Sequence, residues 1–370
     1  MRATIFVFFL VLALGVRPGI LFAAEPRELT LVAFNIHLGG SGPGGNGDVV
    51  RYFLRHLLHL IGLGRDRSAL LQALDRTGDF LVDLDPDLVV VNEFSPCGLL
   101  SAYTRSESDA DPEMNAVTHL LNRLNRDGAD WQAHFEPYMD NWAGLFGNLV
   151  LYRRDRGLQD PRIHVGTFER RGRLDWYERL VFSPLFRNYI LLDLEVGGRR
   201  VFFAGTHLED HQDRHNVAVR RLAMRQMVSE LEDLRAAAGD PLTFVLGDLN
   251  AIPPAYYEGD FDPKVKHAFR HDTPGDGQGP DIQQNTIQIL EEDYVSTYVS
   301  RHGGIDAGSW TSPVDNPRYA LDYIYFTPST AGGECEVLDC FVPRVFAVGD
   351  TISDHLPVVA RVRLTDPTGS

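Results

Sequence analysis

Two short polar stretches carry residue types that could do chemistry. In Gly247-Asp248-Leu249-Asn250 a carboxylate and a carboxamide are spaced by two, so in extended chain both project to one face. In Ser353-Asp354-His355-Leu356-Pro357-Val358 a carboxylate stands beside an imidazole. Further polar residues sit where apolar runs end: Asn35, Glu93, His207 and Asp322. Each alone has a plain structural reading. Gly, Asp and Asn favour turns, Asn35 fits a turn, Glu93 fits a helix cap, His207 fits a packed core histidine, and Asp322 fits a paired charge. Together they supply what metal-assisted phosphate-ester hydrolysis needs. Carboxylate and amide oxygens suit Mg²⁺, Mn²⁺ or Ca²⁺. A carboxylate can orient or deprotonate a water, and histidines and an asparagine can bind oxygens on which charge develops.

Elements must hold these groups at strand tips. Residues 28–35 and 88–91 read as buried strands flanking an amphipathic helix from Ser68, a plausible cap, to Leu84. Residues 199–206 and 243–246 flank a second long helix over 213–235, striped by Val217, Met224, Val228, Leu231 and Leu234. Strands are also expected at 131–138, 147–153, 189–196, 319–326 and 358–364, with a hairpin turn at Gly197-Gly198 and a helix over 113–126. The stretches 101–116, 154–186 and 251–310 read as loops. The arginines of 154–186 fit either a local basic patch or a solvated loop. Tyr256, Tyr257 and Phe261 could grip a base or a lipid surface, or pack. The glycine-rich run 39–47 lacks the Lys-Ser/Thr of a phosphate loop and reads as a mobile loop, and 50–62 as a short helix bearing His56 and His59. No linker divides the chain, so residues 25–370 are expected to form one domain.

Residues 1–24 stand apart. Arg2 precedes an uncharged run from Ile5 to Val16, and small residues follow at Ala23 and Ala24. This reads as a secretory signal peptide, with an uncleaved anchor as the alternative, and implies a secreted or periplasmic protein. The 370-residue chain carries a net charge of −16. Loss of Arg2 and Arg17 leaves 33 basic residues against 51 acidic, a net of −18. Such a surface disfavours non-specific attraction to nucleic acid or anionic membrane, but not a divalent-metal enzyme. Of three cysteines, Cys335 and Cys340 could pair across a hairpin and leave Cys97 odd; three free thiols fit equally.

Seven motifs in order carry a family resemblance: Phe34-Asn35-Ile36-His37, Val91-Asn92-Glu93, Gly147-Asn148-Leu149-Val150, Gly205-Thr206-His207-Leu208, Gly247-Asp248-Leu249-Asn250, Leu321-Asp322-Tyr323-Ile324 and Ser353-Asp354-His355-Leu356-Pro357-Val358. Over about residues 31–363 the chain resembles the endonuclease/exonuclease/phosphatase, or DNase I-like, superfamily. The resemblance implies a four-layered α/β sandwich, two packed mixed sheets flanked by helices. It implies a metal-dependent phosphodiesterase, nuclease or phosphatase. Glu93 would bind the ion with Asn35 and Asp354 in its shell, Asp248 would activate water, Asn250 and His207 would hold phosphoryl oxygens, and Asp322 would fix the His355 tautomer. Asn92 stands where the family commonly has glutamine. The expected partner is a phosphoester substrate (nucleic acid, phospholipid or small phosphodiester), with no protein partner implied and a monomeric chain. A catalytically inactive binding protein on the same scaffold is the rival reading.

Overall fold

The computed structural model describes residues 26–36, 67–94, 115–141, 144–170, 186–258, 262–273, 284–330, 333–344 and 353–365. Its strands, in chain order, are β1 (Arg27–Asn35), β2 (Leu88–Phe94), β3 (Trp131–Asn141), β4 (Gly144–Arg153), β5 (Arg162–Thr167), β6 (Asn188–Val196), β7 (Arg199–His207), β8 (Leu242–Asp248), β9 (Val295–Ser296), β10 (Asp322–Phe326), β11 (Ser329–Thr330), β12 (Gly333–Phe341) and β13 (Val358–Thr365). Among the described residues the three longest helices are α1 (Arg67–Leu84), α2 (Ala116–Leu124) and α3 (Arg214–Ala238).

The strands form two mixed sheets, ordered β11-β12-β13-β1-β2-β4-β3 and β5-β6-β7-β8-β10-β9. Their apolar runs are nearly continuous because both faces of each sheet are covered. The inner faces meet in one core that includes Leu31, Ala33, Val90, Leu192, Phe203, Phe244, Leu246 and Ile324. Phe203 and Phe244 stack there at 5.3 Å. The outer face of the first sheet, with Val32, Phe34, Val89 and Val91, packs on Leu74 and Leu81 of α1 and Leu120 of α2. The outer face of the second, with Leu191, Phe202 and Val245, packs on Met224, Met227 and Leu231 of α3. The result is the helix–sheet–sheet–helix sandwich that the family resemblance implies.

Among the described residues each sheet contains one parallel pair, β1 with β2 and β7 with β8, and each pair is joined by a long helix, α1 or α3. A parallel pair brings two strand C-termini to the same edge. Asp213 starts α3 by accepting from His215 N (2.9 Å) and Asn216 N (3.3 Å). Gly239, at φ 84°, ends it in the left-handed conformation that glycine adopts without strain.

Several expectations change. The 154–186 stretch contains β5, whose mostly exposed residues pair with β6; an edge strand exposed on both faces lacks the alternation that would reveal it. The strand expected from Tyr319 begins at Asp322, and Tyr319 makes only an isolated bridge to Ser312. Ser68 lies in the first turn of α1 rather than at its cap. The region 251–310 holds short helices, at Ala255–Glu258, Pro263–Ala268, Thr286–Leu290 and Thr297–His302. Three of these are capped by Asp262, Asn285 and Ser296, and are too short to show helical periodicity. Cys335 and Cys340 are free thiols on the single strand β12, not opposite one another in a hairpin. Five residue steps of strand separate them by about 16 Å, beyond the reach of a disulfide. Residues 1–24, the 39–47 and 50–62 segments, His37, Cys97, Phe261 and the Tyr257 side chain lie outside what is described. Tyr256 is buried, its hydroxyl accepting from Ala320 N at 3.0 Å, so it packs rather than grips a ligand.

Candidate active site

Strand register places the polar residues side by side. Asn35 pairs with Asn92 at the ends of β1 and β2, one residue before Glu93. His207 pairs with Asp248 at the ends of β7 and β8, and Asp322 pairs with Asp248 from β10. Two tips of the first sheet thus face three of the second. Backbone geometry is unusual here. Glu93 and Asn250 have φ of 53° and 51°, a left-handed conformation that costs about 1 kcal/mol or more outside glycine. Gly247 has φ 136°, and a Cβ there would lie 1.9 Å from the Thr206 carbonyl oxygen. Only glycine lets β8 pass so close to β7.

A chain of buried amides ties the two sheets beneath this edge. Asn92 Nδ2 donates to Asn148 Oδ1 (2.8 Å) and to Thr206 O (3.1 Å), and Asn92 Oδ1 accepts from Asp248 N (2.9 Å). Asn148 Nδ2 donates to Asn188 Oδ1 (2.9 Å), and Asn188 Nδ2 to Pro137 O (3.0 Å). These side chains are at most 2% exposed. Buried amides cost stability unless paired, and paired they fix one register between sheets.

Above that layer the carboxylates and imidazoles converge. Asn35 Nδ2 donates to Asp248 Oδ2 (2.8 Å) and Glu93 Oε1 (3.2 Å). Asp248 Oδ1 accepts from Asn250 N at 2.8 Å. Burial, reinforced by the nearby Asp322 charge, pushes the Asp248 pKa up to about 7. His355 Nδ1 lies 2.7 Å from Asp322 Oδ2 and 3.7 Å from Asp248 Oδ2. Burial disfavours charge on His355, but Asp322, Asp248 and Asp354 outweigh it and hold its pKa well above the ordinary value. Its loop is pinned by Ser353 Oγ, which donates to Asn35 O (2.6 Å) and accepts from His355 N (3.0 Å). His207 is the opposite case. Burial and then the Arg187 charge lower its pKa to about 3, so it is neutral at physiological pH.

The donor set fits a hard divalent ion. Glu93, 16% exposed at its side chain, opens from the cup, and it is flanked by Asn35 and Asp248. Asp248, Asp322 and His355 offer ligand atoms within 4.8 Å of one another. The Asp322 ion pair keeps His355 protonated, however, and a protonated imidazole does not ligate. The oxygens of Glu93 and Asn35 are the better holders. Metal ligation by Asn35 requires its Oδ1, so the amide that now faces two carboxylates would have to turn over.

Of the residues singled out in the sequence, Asn35, Glu93, His207, Asp248, Asn250, Asp322 and His355 share this cup. Asp354 reaches it through its charge on His355, and its backbone carbonyl accepts from Val314 N at 2.8 Å. Residue types and spacing did not mark Tyr138 and Arg187, which both approach His207 Nδ1, at 2.9 and 2.6 Å. A tyrosine late in a strand and an arginine before one carry no local signal. Nor did spacing assign roles to Asn148 and Asn188; the position of Asn148 in a strand otherwise apolar from Leu149 to Tyr152 is the one hint. Behind the site, buried Arg220 donates to Glu209 O (2.8 Å), His211 O (3.2 Å) and Gln212 Oε1 (2.8 Å). Gln212 in turn donates to Asn250 O at 3.1 Å, which steadies the strained residue.

The fold has counterparts among solved structures. An endonuclease/exonuclease/phosphatase family protein from Bacteroides thetaiotaomicron superposes with a TM-score of 0.54 at 13% identity, covering 92% of this chain and 96% of that one. A protein of the same description from Beutenbergia cavernae gives 0.52 at 18% identity, covering 92% and 72%. The human Nocturnin catalytic domain with bound sulfate anion gives 0.50 at 15% identity, covering 91% and 95%. No curated protein sequence matches. At such identities these likenesses speak for the fold alone. The family assignment rests on sequence: residues 32–355 match the Endonuclease/Exonuclease/phosphatase family, and the chain belongs to it.

Proposed function

We propose that this chain is an exported, divalent-metal-dependent phosphoester hydrolase, acting as a phosphodiesterase, nuclease or phosphatase. The observation that carries the reading is the convergence of Asp248, Asp322 and His355 within 4.8 Å, beside Glu93 and His207. A buried carboxylate with a pKa of about 7 is matched to proton transfer from water near neutral pH. Asp248 therefore orients the attacking water and takes its proton. His355 keeps its Nδ1 proton against Asp322, which leaves Nε2–H to meet a phosphoryl oxygen. Asn250 and neutral His207 stabilise charge on the other oxygens without adding net charge. A divalent ion (Mg²⁺, Mn²⁺ or Ca²⁺) held by Glu93 and Asn35, with Asp354 near, would supply the positive charge that balances the phosphate.

The acidic surface argues against a protein that tracks nucleic acid by charge alone, and favours local recognition of one phosphoester. The apolar N-terminal segment supports export; N-terminal sequencing of the expressed full chain should find residues 1–24 removed. The activity test is hydrolysis of bis-p-nitrophenyl phosphate with Mg²⁺ or Mn²⁺, and with EDTA. Metal-dependent turnover is expected. Folded protein that hydrolyses no phosphoester with any of these ions would instead be a binding protein on this scaffold. A panel of DNA, RNA, sphingomyelin and inositol phosphates would then define the substrate.

A further inference from the structure

The surroundings of His207 demand more than its neutral ring can satisfy at once. Nδ1 lies 2.6 Å from Arg187 Nη1 and 2.9 Å from Tyr138 Oη. Nε2 lies 3.0 Å from Asn250 Nδ2, 3.6 Å from Glu93 Oε1 and 3.8 Å from Asp248 Oδ2. Neutral imidazole offers one donor and one acceptor. A tyrosine hydroxyl suits either nitrogen state, but a guanidinium carries donors only. At 2.6 Å, Arg187 therefore requires a lone pair on Nδ1, and the ring proton must sit on Nε2. From there it points toward Glu93 and Asp248. Asn250 Nδ2, a donor 3.0 Å from Nε2, favours the opposite tautomer, but its contact is neutral and longer than the charge-assisted one from Arg187, and its amide keeps a second acceptor in Leu208 O at 3.1 Å.

Arg187 is itself held firmly. It directly precedes β6, its backbone carbonyl accepts from Phe168 N at 3.0 Å, and its guanidinium carbon lies 4.7 Å from the Tyr138 ring centroid. Nη2 lies 3.4 Å from Asp210 Oδ1. Both ends of the fork are committed to protein groups, so the side chain is built to hold a neighbour rather than to receive a ligand.

We propose that Arg187 is a positioning residue: by donating to His207 Nδ1 it fixes the Nε2–H tautomer and aims that N–H into the cup between Glu93 and Asp248. The consequence for turnover rests on the hydrolase reading above; the tautomer itself does not. Without the guanidinium the other tautomer becomes the satisfied one. Nδ1–H would then donate to Tyr138 Oη, and Nε2 would accept from Asn250 Nδ2. His207 would have no N–H left for a phosphoryl oxygen.

The test is ¹⁵N NMR of histidine-labelled full-length protein in EDTA. The His207 signals among those of 13 histidines are identified by their loss in His207→Gln. Wild type should show a protonated Nε2 and an unprotonated Nδ1. Arg187→Met should invert the pair, and Arg187→Lys, still a pure donor, should keep the wild-type pattern. In parallel, Arg187→Met should lower kcat on bis-p-nitrophenyl phosphate by about 10²-fold, the scale of one lost oxyanion donor, with KM moving far less. Arg187→Lys should recover much of that loss. A proton on Nδ1 in wild type overturns the proposal, even if Arg187→Met does not fold. So does inversion in Arg187→Met with unchanged kcat. Inert wild-type protein with the expected tautomer would sink the hydrolase reading and leave the Arg187–His207 lock supported.

Discussion

Asn35 and Asp248 belong to different sheets and lie 213 residues apart in sequence, yet Asn35 Nδ2 donates to Asp248 Oδ2 at 2.8 Å. The bond joins the two halves of the cup, and it exists only because the inner faces of β1 and β8 share one core. The same amide donates to Glu93 at 3.2 Å, so one buried group separates and screens two carboxylates. Asn35→Ala should therefore cost about 1–3 kcal/mol in urea unfolding, the scale of leaving buried acceptors unsatisfied. It should also reduce turnover. Unchanged stability and rate would mean that the bond is incidental.

Asp248 is held at a cost to the fold. Its folded pKa, about 7, lies above the ordinary 3.8. A raised carboxyl pKa penalises the folded state once pH exceeds 3.8, and the penalty is fully present above 7. Asp248→Asn should thus unfold at higher temperature than wild type at pH 8 without metal, by a margin on the order of 1 kcal/mol, while the two converge toward pH 4. Turnover should fall at least ~10²-fold. A variant less stable than wild type at pH 8 would contradict the assigned burial of charge.

In the proposed mechanism His355 meets the phosphate in its protonated form, so activity should disappear as pH rises through its folded pKa. Asp322, Asp248 and Asp354 hold that pKa well above the ordinary 6.5. The alkaline limb of the kcat/KM profile should accordingly lie well above pH 6.5, and Asp322→Asn should move it toward lower pH. His355→Ala should cost at least ~10²-fold in kcat with folding intact by circular dichroism. An alkaline limb that ignores Asp322→Asn would remove the pair from the mechanism.

Metal removal should stop turnover, and Mg²⁺ or Mn²⁺ should restore it. Glu93→Gln would weaken the charge proposed to hold the ion, so half-maximal activation should need about tenfold more metal or higher still. Positive charge also stabilises the Asp248 carboxylate. The acidic limb of the metal-activated rate should therefore lie below the value of about 7 at which Asp248 titrates in the metal-free cup. Identical metal titrations for wild type and Glu93→Gln would place the ion elsewhere.

Phe203 and Phe244 stack at 5.3 Å between the sheets that align the strand tips. Phe203→Ala should destabilise the protein by about 3–5 kcal/mol, the usual cost of an emptied aromatic site. Because the cup depends on sheet-to-sheet distance, residual folded protein should also lose activity, which a folded-fraction-corrected rate measurement would detect.

Much of this protein was already written in one dimension. The apolar runs ending at Asn35, Glu93, His207 and Asp248 fixed the strands and their polar tips, because burial on both faces selects uninterrupted β-branched and aromatic residues. The stripes of α1 and α3 fixed two strand–helix–strand units. Spacing also set Asp354 beside His355, but Asp248 and Asn250 meet through a turn rather than along extended chain: β8 ends at Asp248, and Asn250 N, at φ 51°, donates back to Asp248 Oδ1. Tertiary structure decided what local pattern cannot encode. It set the 2.7 Å pairing of Asp322 with His355, the amide chain from Asn92 to Asn188, and the opposite protonation of the two histidines. A histidine has no charge state of its own near neutrality; neighbours supplied by distant strands assign it. Arg187 and Tyr138 were invisible for the same reason. Their meaning lies wholly in which ring nitrogen they face, and that is a property of packed sheets rather than of neighbours in the chain.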